Sequence, residues 1–273
     1  MNPGAIFLGV LLLAAGLSGE THKDVVFASP VGVRLTLDAL VPDAPGKHPA
    51  VILVHGGGWE AGDKQTYIQP WFPVLTQAGF AWFSINYRLA PAHKHPAALE
   101  DVLTAVAWVR KNAAKYRIDT NRIALMGESA GGHLAALAGA KAGATQVRAV
   151  VDFYGVNDIP LWLQQRKELP KNIAQYLGIK DTSSASLEIA RAASPTSYIT
   201  RGMPRFLFVH GTADKGVPPE QSSVMCQRMK DTGVPCEVLL IEGAPHGVSN
   251  WESEPRFHVW KPKVVHWLRE ALR

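Results

Sequence analysis

A mostly parallel β-sheet covered by helices on both faces is the fold class this sequence predicts, on three observations. Strand-like and helix-like stretches alternate through most of the chain, the signature of repeated β–α units. Several of the strand-like stretches are continuous apolar runs, as strands buried on both faces are. A chain of 273 residues with 47% apolar and 19% charged side chains also suffices for one large core, with no compositional break that would divide it.

The elements follow in order. Residues 33–41 place apolar side chains at alternate positions (Val33, Leu35, Leu37, Ala39, Val41), which predicts a half-buried early strand. Residues 50–54 form a β-branched and apolar run that ends at a glycine cluster, and 80–87 form another. Over 96–116 the apolar residues Leu99, Val102, Leu103, Val106 and Val109 fall at helical spacing. A short strand at 122–126 precedes a small-residue helix at 130–142. Strands follow at 147–154, 205–209 and 237–241, with helices at 219–232 and 256–272. Between Tyr154 and Arg205 the rhythm breaks, and a connection that long is usually functional. Residues 157–203 read as a small lid over the strand ends, a crossover helix with irregular flanks being the alternative.

Composition narrows the function classes. The formal charge is +5, but Lys and Arg are scattered without a basic run, and nucleic-acid binding needs a clustered footprint. Residues 5–17 are nearly all apolar and run into Ser18, Gly19, Glu20 and Thr21. That length suits a secretory signal over 1–19, giving a secreted or periplasmic protein; a spanning helix needs about 20 residues. An uncleaved amino-terminal anchor and a buried first strand or helix are the alternatives. No later segment has the length and apolarity to span a bilayer, so no stable membrane partner is expected. The two cysteines, Cys226 and Cys236, read equally as a disulfide or as two small buried residues. No Cys/His spacing resembles a metal site.

The strongest chemical signal is Gly127-Glu128-Ser129-Ala130-Gly131, directly after one expected strand and before an expected helix. This is the context of a nucleophile elbow, whose flanking glycines permit a turn too sharp for side chains. Activating the Ser129 hydroxyl needs a base. Of ten histidines, His246 is favoured because it follows the 237–241 strand on a loop at the same sheet edge. His133 reads as a packed or capping residue, His210 as structural, and His55 as a loop tie. An acid must orient the imidazole. Asp214 lies just past the 205–209 strand and completes the order Ser, Asp, His, with Glu242 and Asp158 in reserve. The cluster His55-Gly56-Gly57-Gly58-Trp59 presents bare backbone N–H groups, so the N–H groups of Gly57, Gly58 and Ala130 are the expected oxyanion donors. A phosphate loop is excluded because no Lys-Ser/Thr pair follows.

H-G-G-G-W at 55–59, N-Y-R-L-A-P at 86–91, G-E-S-A-G-G at 127–132, H-G-T-A-D at 210–214 and A-P-H-G at 244–247 occur in one order. In these pieces the chain resembles the hormone-sensitive-lipase-like branch of bacterial α/β-hydrolase esterases over roughly residues 30–270. The resemblance implies the α/β-hydrolase fold with an eight-stranded sheet, the triad and oxyanion donors above, no cofactor, and hydrolysis of short-chain or aryl carboxylic esters. It is also similar to enzymes that remove acetyl or feruloyl groups from plant polysaccharides. An amidase-type hydrolase of the same fold and a non-catalytic binding module are the competing readings. Trp59, Tyr154, Trp162 and Trp251 read equally as substrate-facing aromatics or as plain packing, Arg88 is expected to pair with Asp101, and Glu128 is expected to bond the helix start without a chemical role.

Overall fold

A computed structural model describes residues 18–273. The expected signal at 1–19 therefore falls almost wholly outside the described residues; Gly19 itself opens the first strand, opposite Pro42. The strands are β1 (Gly19–Ala28), β2 (Leu35–Pro42), β3 (His48–Val54), β4 (Ala81–Ile85), β5 (Ile118–Glu128), β6 (Ala149–Phe153), β7 (Arg205–Gly211) and β8 (Cys236–Ile241). They form one sheet in the order β1-β2-β4-β3-β5-β6-β7-β8. β1 and β2 pair antiparallel, as do β2 and β4, and every other pair is parallel.

Alternation along the central strands sorts the core into two layers. Ala50, Ile52 and Val54 of β3 face one apolar cluster, while Val51 and Leu53 face the other. β7 does the same, with Phe206 and Phe208 on one side and Leu207 and Val209 on the other. The first face is covered by α2 (Ala97–Lys111), α3 (Ala130–Ala142) and α7 (Glu220–Asp231), whose buried residues include Val102, Leu134 and Met225. The second is covered by α1 (Trp71–Gln77) and α9 (Trp260–Ala271) through Trp71, Leu75, Trp260 and Leu268.

Three expectations change. β1 has no counterpart in the sequence reading, because an edge strand with mostly solvent-facing side chains carries little apolar pattern. β2 is buried on both faces rather than half-buried: even Asp38 is enclosed, where Lys64 and Gln65 reach it. The carboxy-terminal helix begins at Trp260, after a short 3₁₀ turn at Pro255–Val259.

The long connection after β6 holds α4 (Ile159–Gln164), α5 (Lys171–Leu177) and α6 (Ser184–Ala192). Ile173, Tyr176 and Leu177 of α5 are buried in the first core cluster, so the connection is packed down onto the domain. Cys226 of α7 and Cys236 of β8 are joined in a disulfide, which resolves the two readings of that pair. Among the described residues no helix is long and apolar enough to cross a membrane.

Candidate active site

Ser129 sits between β5 and α3 with φ 52° and ψ −120°, a backbone conformation that non-glycine residues seldom adopt. The tightness of the turn explains its glycines. A Cβ on Gly127 would lie 2.2 Å from the Gly131 carbonyl oxygen, and one on Gly131 would lie 2.1 Å from that of Val54. Any side chain at either position would push the serine out of place. The hydroxyl thus projects above the carboxyl ends of the strands, at the start of a 13-residue helix whose dipole favours negative charge there.

His246 arrives on the loop after β8. Its Nε2 lies 2.9 Å from Ser129 Oγ and its Nδ1 lies 2.6 Å from Asp214 Oδ2. With Nδ1–H donated to the carboxylate, Nε2 keeps its lone pair and can accept a hydrogen bond from the Ser129 hydroxyl. Asp214 is in turn fixed by the N–H groups of Gly216 and Val217, which donate to Oδ1 at 2.8 and 2.9 Å. Burial raises the Asp214 carboxyl, but hydrogen bonds from His210 and His246, together with the His246 charge, outweigh it and hold the group well below the usual carboxylate range. His210 is enclosed beneath it, with Nδ1 2.7 Å from Ser222 Oγ and Nε2 2.9 Å from the Val217 carbonyl, in the structural place expected of it. The reserve acids are elsewhere: Asp158 caps α4 and pairs with Arg228, and Glu242 is exposed.

The glycine loop completes the site. Gly57 (φ 101°) and Gly58 (φ 63°) take left-handed conformations, and a Cβ on Gly57 would meet the Ala61 carbonyl oxygen at 2.1 Å. Both line the cleft that holds Ser129 and His246, about 360 Å³ in volume, and Ala130 is buried at the helix start. Among the described residues the N–H groups of Gly57 and Gly58 make no backbone hydrogen bond within their loop. His55 ties this loop down as expected: its Nδ1 is 2.7 Å from the Gly56 carbonyl and its ring stacks on Tyr87. Burial pushes the His55 ring down to about 4, so it stays neutral and donates. Arg88 pairs with Asp101, its Nε lying 3.0 and 2.9 Å from the two carboxylate oxygens.

Of the two readings open for the four aromatics, burial selects packing over facing substrate. Trp59, Tyr154, Trp162 and Trp251 are 2%, 0%, 4% and 0% exposed, so their rings have no free face. Three of them act as ties instead. Trp59 stacks on Tyr176 of α5 and donates its Nε1–H to His133 Nδ1, and His133 Nε2–H donates to the Ala193 carbonyl. Burial pushes His133 down to about 3, so the ring stays neutral, and its two partners select that tautomer. Trp251 donates to the Pro245 carbonyl, next to His246. Tyr154, at φ 43°, donates its hydroxyl to Glu128 Oε2 at 2.9 Å and accepts the Val248 N–H, spanning the elbow and the histidine loop with its ring 4.8 Å from that of His246. Glu128 is accordingly bound to Tyr154 rather than to the helix start, and burial raises its carboxyl.

The side chains that do line the cleft beside Ser129 and His246 include Tyr67, Ser249 and Asn250, none of which the sequence singles out. Ser249 and Asn250 carried a faint signal in following His246 so closely; Tyr67 carried none. Asn172 of α5 comes close to Gly58, which brings the long connection to the edge of the site. Among the described residues no three His, Cys, Asp or Glu side chains converge as metal ligands.

A mostly parallel eight-stranded sheet, with a strand–serine–helix elbow at its carboxyl edge and helices on both faces, is the α/β-hydrolase fold. The sequence family described as BD-FAE matches residues 37–229, and the chain belongs to that family. Esterase LipC of Mycobacterium tuberculosis is 35% identical over 222 residues, covering 75% of this chain and 54% of LipC. The chain spans about half the length of the curated relatives it matches. Among solved structures, a truncated carbohydrate esterase from gut microbiota superposes with a TM-score of 0.76 at 25% identity, covering 94% of this chain and 98% of that one. The butyrate-bound esterase Est2 of Thermogutta terrifontis gives a TM-score of 0.70 at 25% identity, covering 92% and 94%.

Proposed function

We propose that the protein is a carboxylic ester hydrolase in which Ser129 is the nucleophile, His246 the general base and acid, and Asp214 the orienting carboxylate. The observation that carries this reading is the unbroken chain of contacts from Ser129 Oγ to His246 Nε2 at 2.9 Å and from His246 Nδ1 to Asp214 Oδ2 at 2.6 Å. His246 takes the serine proton as Oγ bonds to the ester carbonyl carbon, and the carbonyl oxygen becomes an oxyanion received by the N–H groups of Gly57, Gly58 and Ala130. Collapse of the adduct breaks the bond to the alcohol, which leaves with the proton from His246. Water, deprotonated by the same histidine, then attacks the acyl-enzyme, and release of the acid restores Ser129.

The small cleft supports short-chain or aryl acyl groups rather than long chains, and the approach of Asn172 to Gly58 supports residues 157–203 as a lid at its edge. The likeness to a carbohydrate esterase supports acetyl or feruloyl groups on plant polysaccharides as the substrate class. Export is supported by the apolar run at 5–17 and by the Cys226–Cys236 disulfide, a bond that persists in oxidising compartments. The test is steady-state hydrolysis of p-nitrophenyl acetate by the protein and by Ser129→Ala. The expected loss in kcat is about 10⁵- to 10⁶-fold; a folded Ser129→Ala protein within tenfold of the parent contradicts the reading.

A further inference from the structure

We infer that Tyr67, flanked by Ser249 and Asn250, forms the subsite for the leaving alcohol and is a specificity-determining residue for it. This rests on the ester-hydrolase reading above and adds which side of the cleft the alcohol occupies and what recognises it.

The side follows from the proton. His246 Nε2, 2.9 Å from Ser129 Oγ, is the atom that returns the proton to the alcohol. The leaving oxygen must therefore come within about 3 Å of it. The carbonyl oxygen points the other way, toward the Gly57 and Gly58 loop. The alcohol consequently extends along the His246 flank, where Asn250 bonds the His246 carbonyl, Ser249 bonds the Tyr67 carbonyl, and all three of Tyr67, Ser249 and Asn250 line the cleft.

Tyr67 is built to be displayed there. Three aromatic residues of the described chain have positive φ: Trp59 at 64°, Tyr154 at 43° and Tyr67 at 67°. The first two bury their rings in return for the strained backbone, at 2% and 0% exposure, whereas Tyr67 stays 42% exposed. Among the described residues no aromatic ring stacks on it, unlike Trp59 on Tyr176 or Phe72 on Trp82. The strain is nonetheless maintained. Asp63 caps the preceding turn through Gln65 N–H and Thr66 N–H, Ile68 is fully buried, and the Ser249 hydroxyl donates to the Tyr67 carbonyl at 3.1 Å. An outlier held by its neighbours and left open beside a nucleophile points to contact with a ligand.

The chemistry on offer beside His246 is the flat ring of Tyr67 with the neutral polar groups of Ser249 and Asn250 next to it. Ser249 Oγ, having donated its hydrogen, keeps acceptor lone pairs, and Asn250 donates Nδ2–H to the His246 carbonyl while its Oδ1 remains. None of the cleft-lining side chains is Lys or Arg, so an anionic alcohol gains nothing. A neutral ring with a C–H face and hydroxyls at its edge, as in a pyranose, satisfies both parts at once. A simple alkyl alcohol satisfies neither.

The experiment compares two acetate esters that pass through the same acetyl-enzyme, ethyl acetate and a mono-acetylated methyl xyloside, so that kcat/KM differences report the alcohol alone. Tyr67→Ala should lower kcat/KM for the xyloside ester about tenfold, equivalent to about 1.4 kcal/mol, and change ethyl acetate by less than twofold. Tyr67→Phe, which keeps the flat ring, should restore most of the loss. Equal losses on both esters, no loss on either, or a change in acetate-versus-butyrate preference with a fixed alcohol would each overturn the subsite while leaving the esterase reading intact. Failure of the parent protein to hydrolyse either ester would instead remove the reading on which the subsite rests.

Discussion

The two flanks of His246 are built on opposite principles. Behind the ring lie Tyr154, Asp214 and His210, each nearly or fully buried and each tied to a specific partner. In front lie Tyr67, Ser249 and Asn250, all exposed. The buried flank spends its hydrogen-bonding capacity on holding the imidazole, while the open flank leaves part of it unspent. The difference teaches where to look for chemistry and where for selectivity: fixed geometry lowers the reorganisation needed at the reacting atoms, and unspent surface is what a substrate can still bind.

That contrast makes predictions, the strongest on the buried side. Asp214→Asn keeps the shape but offers His246 the wrong tautomer, and kcat should fall by about 10⁴-fold by analogy with other triads; stopped-time assays on p-nitrophenyl acetate check it, and a loss under tenfold would move the acid elsewhere. Acidification should act on the same buried framework. Burial holds His133 near about 3 and His55 near about 4, against an ordinary value of 6.5. Between pH 6.5 and the folded values the unfolded chain binds protons that the folded chain refuses, so stability falls as pH drops, by about 2 kcal/mol per histidine at pH 5. Denaturant titrations at pH 7 and pH 5 should show this loss, and His133→Gln should reduce it by about half. Asp214 adds a further decline only at lower pH, because its stabilisation is present above the ordinary carboxylate value and lost as pH falls toward its depressed one.

A smaller effect is expected at Tyr154. Tyr154→Phe keeps the ring but leaves the Glu128 carboxylate and the Val248 N–H without their partner. Stability should drop by about 1–3 kcal/mol, read as a lower Tm, and kcat should fall about tenfold with KM little changed as the histidine loop loosens. Unchanged Tm and kcat would show that the buried flank is not held through this hydroxyl.

The same contrast marks what was legible in the sequence. The elbow was, because Gly127, Ser129 and Gly131 specify a local turn whose geometry depends on absent side chains. The placing of His246 and Asp214 was too, since the carboxyl ends of successive parallel strands share one edge. The aromatics were not. Residue type states that Trp59 or Tyr154 is large and amphipathic, but not which way it points. The partners of Tyr154 lie 26 and 94 residues away, beyond any local pattern. Tyr67 was invisible for the converse reason: it stands in a loop without periodicity, and its display depends on one backbone angle. β1 escaped because its exposed side chains leave no apolar alternation to read.

The central claim is that Ser129 is made nucleophilic by the groups gathered around it. The most direct measurement is reaction with a fluorophosphonate probe followed by peptide mapping of the modified residue. The account predicts one adduct, on Ser129, absent in Ser129→Ala and strongly slowed in His246→Ala. Labelling at another serine, or undiminished labelling without the imidazole, would contradict it.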